Sequence, residues 1–258
     1  MKSEAIYIDR SKRVPVLKLN RPSKRNALNI EMWKLFITLL DDAYNDSSIN
    51  TLVIQGEGDH FCAGADIEEM KNIFLDKKIS SELASVTYEA QKKLHEFKKP
   101  TIAMISGSCV GGGCGIALCC DFRFADETIK IGITPAKIGL VYSLSDTKRL
   151  VDAVGFSKSK DILFTGRLMG YEESKEIGLV DHIFNKDKLE DYVFNYVDMI
   201  SQTSKHSLIS NKEILGMIKK GMNDDNEKTR KMFINAFYGD DFRKGVEAFL
   251  EGKKPNFS

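Results

Sequence analysis

Residues 107–121 read GSCVGGGCGIALCCD. Three consecutive glycines run into an apolar stretch that has the composition of a buried helix, and a fourth, Gly115, sits one turn inside it. A glycine in a helix interior costs about 1 kcal/mol relative to alanine. A chain with this many at one helix start needs bare backbone there. Such glycines tolerate positive φ and let another group approach the main chain closely. They also leave N–H donors unpaired at the positive end of the helix dipole. That setting suits an anion or an oxygen on which negative charge develops.

Other readings of the same stretch stay open at this point. GGGCG departs from the G-x-G-x-x-G dinucleotide fingerprint, and no strand with an acidic end follows at the right distance. A glycine-rich turn that merely lets a helix pack closely would look the same. A second loop, FCAGADI at 61–67, also places small residues before a helix start. Two such loops can each supply one N–H to a single oxygen, the minimum construction of an oxyanion hole. Loss of one such donor typically costs about 10²–10³ in rate.

The pattern along the chain predicts where these loops sit. AIYIDR and VPVLKLN read as a strand hairpin, TLVIQGEG and KKPTIAMISGS as buried strands, and FRFADETIKIG as two short strands. IEMWKLFITLLDDAYND and SSELASVTYEAQKKLHEF have helical periodicity. From residue 135 onward the helical pattern dominates, through SDTKRLVDAVG, KSKDILFTG, YEESKEIGLV, KLEDYVFNYVDMISQ, SLISNKEILGMIKKG and NEKTRKMFINAFYGDDFRKGVEAFLEG. This predicts an α/β layer architecture, divided into a core over residues 1–200 and a helical part over 201–258.

With 258 residues, 42% of them hydrophobic and a net charge of +1, the chain gives no case for a nucleic-acid or membrane-surface partner. The first residues show no signal peptide, and no apolar run reaches the roughly 18 residues of a membrane span, so a cytoplasmic protein is expected. Of the five cysteines, Cys62, Cys109, Cys114, Cys119 and Cys120, the last four fall in one apolar stretch with no histidine close by in sequence, and all five read as reduced small core residues rather than metal ligands.

NRPSKRNAL, FCAGADI, KKPTIAMISGSCVGGGCGIALCCD, LFTGRLMGYEESKEIGLVDHIF and FLEGKKPNF, in that order, resemble the enoyl-CoA hydratase/isomerase, or crotonase, superfamily. The resemblance implies a spiral of ββα units, a helical trimerisation region and homotrimers that often pair into hexamers. It implies an acyl-CoA substrate, with coenzyme A as part of the thioester and no separate cofactor or metal. The thioester oxygen would be held by the N–H groups of Ala65 and Gly112. The adenine end would lie near Ala63, Asp66 and Ile67. Lys24 and Arg25 fall in the loop that runs past the CoA phosphates, and KKPNF could reach CoA on a neighbouring subunit.

Hydratases of this family use two glutamates to position water and move its protons. The resemblance places them at Gly115 and Pro135, and neither residue can transfer a proton. Tyr142, in IGLVYSLSDTKRL, lies in a run similar to methylmalonyl-CoA decarboxylase, which has a tyrosine there near the leaving carboxylate. That relative has a histidine at Ala65 and a glutamate at Gly115. A malonyl-type substrate carries its own carboxylate, which two glutamates would repel by several kcal/mol at contact distance and an effective dielectric of about 20. Decarboxylation of a malonyl-type CoA is therefore expected, making the protein a lyase. The alternatives are a hydratase or isomerase with relocated acid/base groups, Asp146 or Glu68, and an acyl-CoA binding subunit without catalysis. Bland roles compete at each position. Tyr142 could be a packed aromatic, Asp146 a helix cap, Lys137 a surface residue, Glu68 and Glu69 partners of their own helix dipole, and His60 structural.

Overall fold

The computed structural model describes residues 4–73 and 76–257. β1 (Ile6–Asp9) and β2 (Val16–Leu19) form the expected hairpin, Ile6 opposite Leu19. From β2 the pairing turns parallel, through β3 (Leu52–Gly56), β4 (Thr101–Ile105), β6 (Phe122–Asp126) and β8 (His182–Phe184), giving a six-stranded sheet in the order β1-β2-β3-β4-β6-β8. Parallel sheets bury both faces, so their strands read as continuous apolar runs. Alternate residues of β3 and β4 serve opposite faces. Val53, Ile102 and Met104 pack toward Leu189, Val193 and Phe194 of α7 (Lys186–Ser201). Leu52, Ile54, Ala103 and Ile105 pack into the larger core beneath α1 (Ile30–Asn45) and α3 (Lys77–His95).

β5 (Ser108–Val110) and β7 (Lys130–Gly132) make a separate parallel pair. Between the two sheets runs α4 (Gly112–Cys119), whose residues from Gly113 onward are all buried. A short helix that is apolar on every side belongs inside a domain. Its cap, Gly111, has φ 53° and ψ −113°, a backbone state that side chains disfavour. A methyl on Gly113 would lie 2.4 Å from the Cys62 carbonyl oxygen, so that position admits no side chain without backbone movement.

Two sequence expectations are corrected. The helical pattern after residue 135 is interrupted by β8, and β5 was not anticipated. Each has three residues, too few to show a period, and each is defined by its partner strand. The two segments read as separate helices are two helical stretches within α5 (Leu144–Thr165), separated by a kink at Gly155, whose φ 74° and ψ 169° are non-helical. The last long segment divides into α9 (Glu227–Ala236) and α10 (Asp240–Leu250), broken at Gly239, which caps α10. α2 (Ile67–Ile73), α6 (Tyr171–Glu176) and α8 (Lys205–Lys219) complete the helices of the described residues. None of these is long and apolar enough to cross a membrane. α8 and α10 bury no residue, and α9 buries only Thr229.

Gly113→Ala is expected to destabilise the fold by about 1–3 kcal/mol, the cost of overpacking a filled core. Gly216→Ala, inside α8 with nothing within 4 Å of the added methyl, is expected to stabilise by up to about 1 kcal/mol. Urea unfolding of the two variants checks both signs.

Candidate active site

The two glycine-containing loops meet along main-chain hydrogen bonds. Cys62 donates to Ser108 O (2.8 Å) and accepts from Val110 N (2.9 Å), so the first loop is stitched to β5 just before α4 begins. On its other side, Leu28 N donates to Gly64 O (2.7 Å) and Asp66 N to Leu28 O (2.9 Å). In that parallel bridge the N–H of Ala65 points away from Leu28. Gly112 is the first residue of α4, where an N–H has no partner inside the helix. Neither N–H is given an acceptor by any contact among the described residues. The loops touch: a methyl on Gly64 would lie 3.5 Å from Gly112 N, and one on Gly112 would lie 3.9 Å from Gly64 Cα. The Trp33 indole stands 3.5 Å from the latter point.

The preceding loop is braced by residues that the sequence did not single out. Asn26, at φ 57°, accepts from Arg21 N and donates to Glu57 O (3.0 Å) and His60 O (2.6 Å). Asparagine is among the few residues that adopt this left-handed state readily. Asp66 caps α2 by accepting from Glu68 N (3.0 Å) and pairs with Arg21 at 2.8 Å. Burial pushes the Asp66 carboxyl up, but Arg21 and the Glu68 N–H outweigh it and hold the pKa below its ordinary value. Ala63 donates its N–H to Arg25 O at 2.9 Å. Ile67 is exposed at the start of α2. Lys24 pairs with Glu68 at 2.7 Å on the surface, and Arg25 is exposed. Glu69 does not serve its own helix alone: its carboxylate accepts from Ile30 N at the start of α1. His60 is structural, its Nδ1 accepting from Ser108 N at 3.1 Å. Lys137 is exposed.

Around Gly115 the space a side chain would fill is already taken. A methyl there would lie 2.4 Å from Gln91 Nε2, 3.3 Å from Tyr142 Oη and 3.5 Å from Asp146 Oδ1. Gln91 was missed by the sequence reading, although its spacing was informative. It lies on the stripe of α3 that carries Val86, Ala90 and Leu94, the other buried residues of that helix. The Tyr142 ring is half-buried, while its hydroxyl is sealed from solvent and has no partner among the described residues. Burial, with a smaller contribution from Cys114 and Asp146, pushes its pKa well above 10. Asp146 is not the cap of α5, as expected, but its third residue; Ser143 is the cap. The Asp146 carboxylate accepts from Ser143 Oγ (2.7 Å) and Arg149 (2.7 Å), and both side chains of that pair are 8% exposed. Burial raises the Asp146 pKa, against the pull of Ser143 and Arg149.

Pro135 opens a short 3-10 turn, Pro135–Ile138, and offers no proton-transferring group. Pro135 and Tyr142 line one cleft of about 230 Å³ with Ile133, Ala136 and Thr147. A larger apolar groove, about 590 Å³, lies between α8 and α10, and none of its lining residues belongs to the loops or to the surroundings of Gly115.

The motifs and the fold agree with comparisons to known proteins. The family described as enoyl-CoA hydratase/isomerase matches residues 9–258. This chain belongs to that family. A probable enoyl-CoA hydratase of Mycobacterium bovis is 30% identical over 100% of this chain and 99% of its own. The Escherichia coli 2,3-dehydroadipyl-CoA hydratase is 29% identical over 98% of each chain. The crystal structure of an enoyl-CoA hydratase/isomerase family protein from Hyphomonas neptunium superposes with a TM-score of 0.95 at 34% identity, covering 99% of this chain and 98% of the other. The protein is thus an acyl-CoA enzyme of the crotonase superfamily.

All five cysteines of this enzyme are buried and free. Burial pushes the thiols of Cys62, Cys114 and Cys119 up to about 12, and raises Cys109 and Cys120 as well. The native enzyme is therefore expected to leave a thiol-reactive disulfide reagent unreduced at pH 8, and the denatured chain to consume five equivalents.

Proposed function

We propose that this crotonase-superfamily enzyme decarboxylates a malonyl-type CoA thioester. In this reading the N–H groups of Ala65 and Gly112 hold the thioester oxygen. The bond from the α-carbon to the carboxylate breaks, carbon dioxide leaves, and the electron pair is held as the enolate between the two donors. The α-carbon then takes a proton from the Tyr142 hydroxyl or from water. Coenzyme A would run past Lys24 and Arg25, with its adenine end near Ala63, Asp66 and Ile67.

The observation that carries this reading is the ring of polar atoms around Gly115. Gln91 Nε2 and Tyr142 Oη, both uncharged donors, stand where a hydratase glutamate would project. The nearby carboxylate, Asp146, is paired with Arg149. Uncharged groups in these places would repel an anionic substituent less than two glutamates would. A Tyr142 pKa raised by burial also keeps the hydroxyl protonated at neutral pH, the form that donates a hydrogen bond to a carboxylate.

Methylmalonyl-CoA or ethylmalonyl-CoA is expected to yield carbon dioxide and the shortened acyl-CoA. Gly112→Pro removes one N–H at the first position of a helix, where proline is tolerated. It is expected to lower kcat by about 10²–10³ with little loss of stability. No carbon dioxide from either substrate, with an intact fold, would refute the proposal.

A second reading is supported by the names of the relatives and by Asp146. A carboxyl with a raised pKa beside Gly115 could replace the missing glutamate in hydration of an enoyl-CoA. Glu68, 71% exposed and paired with Lys24, is poorly placed for that role. Hydration predicts loss of crotonyl-CoA absorbance that Asp146→Asn abolishes. The exposed apolar residues of α9, its cap and α10, among them Phe233, Phe237, Phe249 and Leu250, support assembly of residues 201–258 into a homotrimer or hexamer.

A further inference from the structure

Gln91 contributes a carboxamide that nothing in the fold explains. Its side chain is 2% exposed, on the buried stripe of α3, and the amide has no hydrogen-bond partner among the described residues. Buried polar groups are nearly always paired, and an unpaired one marks a place where a partner is absent. The Tyr142 hydroxyl beside it is sealed from solvent and also lacks a partner among the described residues. Both lie within 3.3 Å of one point, the place of a methyl on Gly115. The acceptor nearest that point, Asp146 Oδ1 at 3.5 Å, is already engaged by Arg149. Gly115 is what keeps the amide there, since any side chain would displace it.

We propose that Gln91 is a specificity residue that donates a hydrogen bond from Nε2 to an anionic group on the α-carbon of the acyl-CoA. The proposal rests on the decarboxylase reading for the identity of that group, a carboxylate. Two converging uncharged donors select an acceptor-rich substituent, and a hydrogen bond to a charged group is the stronger kind. An acyl-CoA without the substituent would leave both donors without an acceptor, so the same pair disfavours it.

The test uses 2-sulfopropionyl-CoA, whose sulfonate cannot leave as carbon dioxide, beside propionyl-CoA, which lacks the charged group. Gln91→Leu is expected to weaken sulfopropionyl-CoA binding about 10- to 100-fold and to leave propionyl-CoA binding unchanged or tighter. Gly115→Ala, which keeps Gln91 but displaces its amide, is expected to give the same selective loss. Propionyl-CoA binding also reports that each variant is folded. Equal losses for the two ligands, or no loss for either, would overturn the role of Gln91. If the selective loss is seen while methylmalonyl-CoA releases no carbon dioxide, the decarboxylase reading fails and the anion site stands. If carbon dioxide is released but Gln91→Leu shows no selectivity, the reaction stands and this site does not.

Discussion

The backbone of Cys62 is the point on which the arrangement turns. It donates to Ser108 and accepts from Val110, and its carbonyl lies so close to Gly113 that a methyl there would be 2.4 Å away. Main-chain contact of this kind is stiff, because neither partner has a rotamer with which to move aside. It fixes the loop ending in Ala65 against the first turn of α4, and so fixes the two unpaired N–H groups relative to one another. Preorganised donors lose no free energy to reorientation when charge develops in front of them. The glycines are thus a condition of the geometry as much as of the chemistry. Bare backbone lets the loops touch, and touching loops can face one oxygen.

The same principle of vacated volume operates one turn further along α4, with a different consequence. At Gly113 the missing side chain admits backbone; at Gly115 it admits the far end of a flexible side chain from α3. The first substitution is architectural and the second is chemical. A glutamate at 115 would need Gln91 to withdraw, so the two positions specify each other. In the proposed reading this exchange replaces a charged base with uncharged donors, and the electrostatic character of the pocket changes without any alteration of the sheet or of the oxyanion loops.

Much of this was legible in the sequence, for definite reasons. β3 and β4 announce themselves because parallel strands buried on both faces must be apolar throughout, as TIAMI is, and the antiparallel hairpin does so by its alternating or apolar runs. The paired loops were legible because glycine runs beside a helix start have few uses. β5 and β8 were not, since a three-residue strand is specified by what lies beside it. Gln91 was not recognised because a polar residue on a mostly polar helix looks solvated until its register against Val86, Ala90 and Leu94 is counted. Asn26 carried a signal in its capacity for positive φ, but its targets, the carbonyls of Glu57 and His60, are set by tertiary contact alone.

The balance between the two proposed reactions comes down to what Asp146 is free to do. Its carboxylate anchors the first turn of α5 through Ser143 and holds Arg149, both members of the ion pair being nearly buried. Removing the charge of one partner in such a pair leaves the other stranded in low dielectric, at a cost of about 3–5 kcal/mol. A proton shuttle at Asp146 would leave Arg149 without its partner whenever the carboxyl is protonated, although burial shifts the carboxyl toward that form. Hydratase chemistry needs the carboxyl to exchange protons with water and substrate; the ion pair resists the exchange. Tyr142 has no such second duty. Its hydroxyl is sealed, unpaired and held in the protonated form by burial, so donating a hydrogen bond to a substrate disrupts nothing, whereas giving up the proton would leave a buried tyrosinate. A site that needs only to cradle an enolate and return one proton can be built from these groups without the glutamates. A site that must both deprotonate and position water has in Asp146 a carboxylate already committed to the fold.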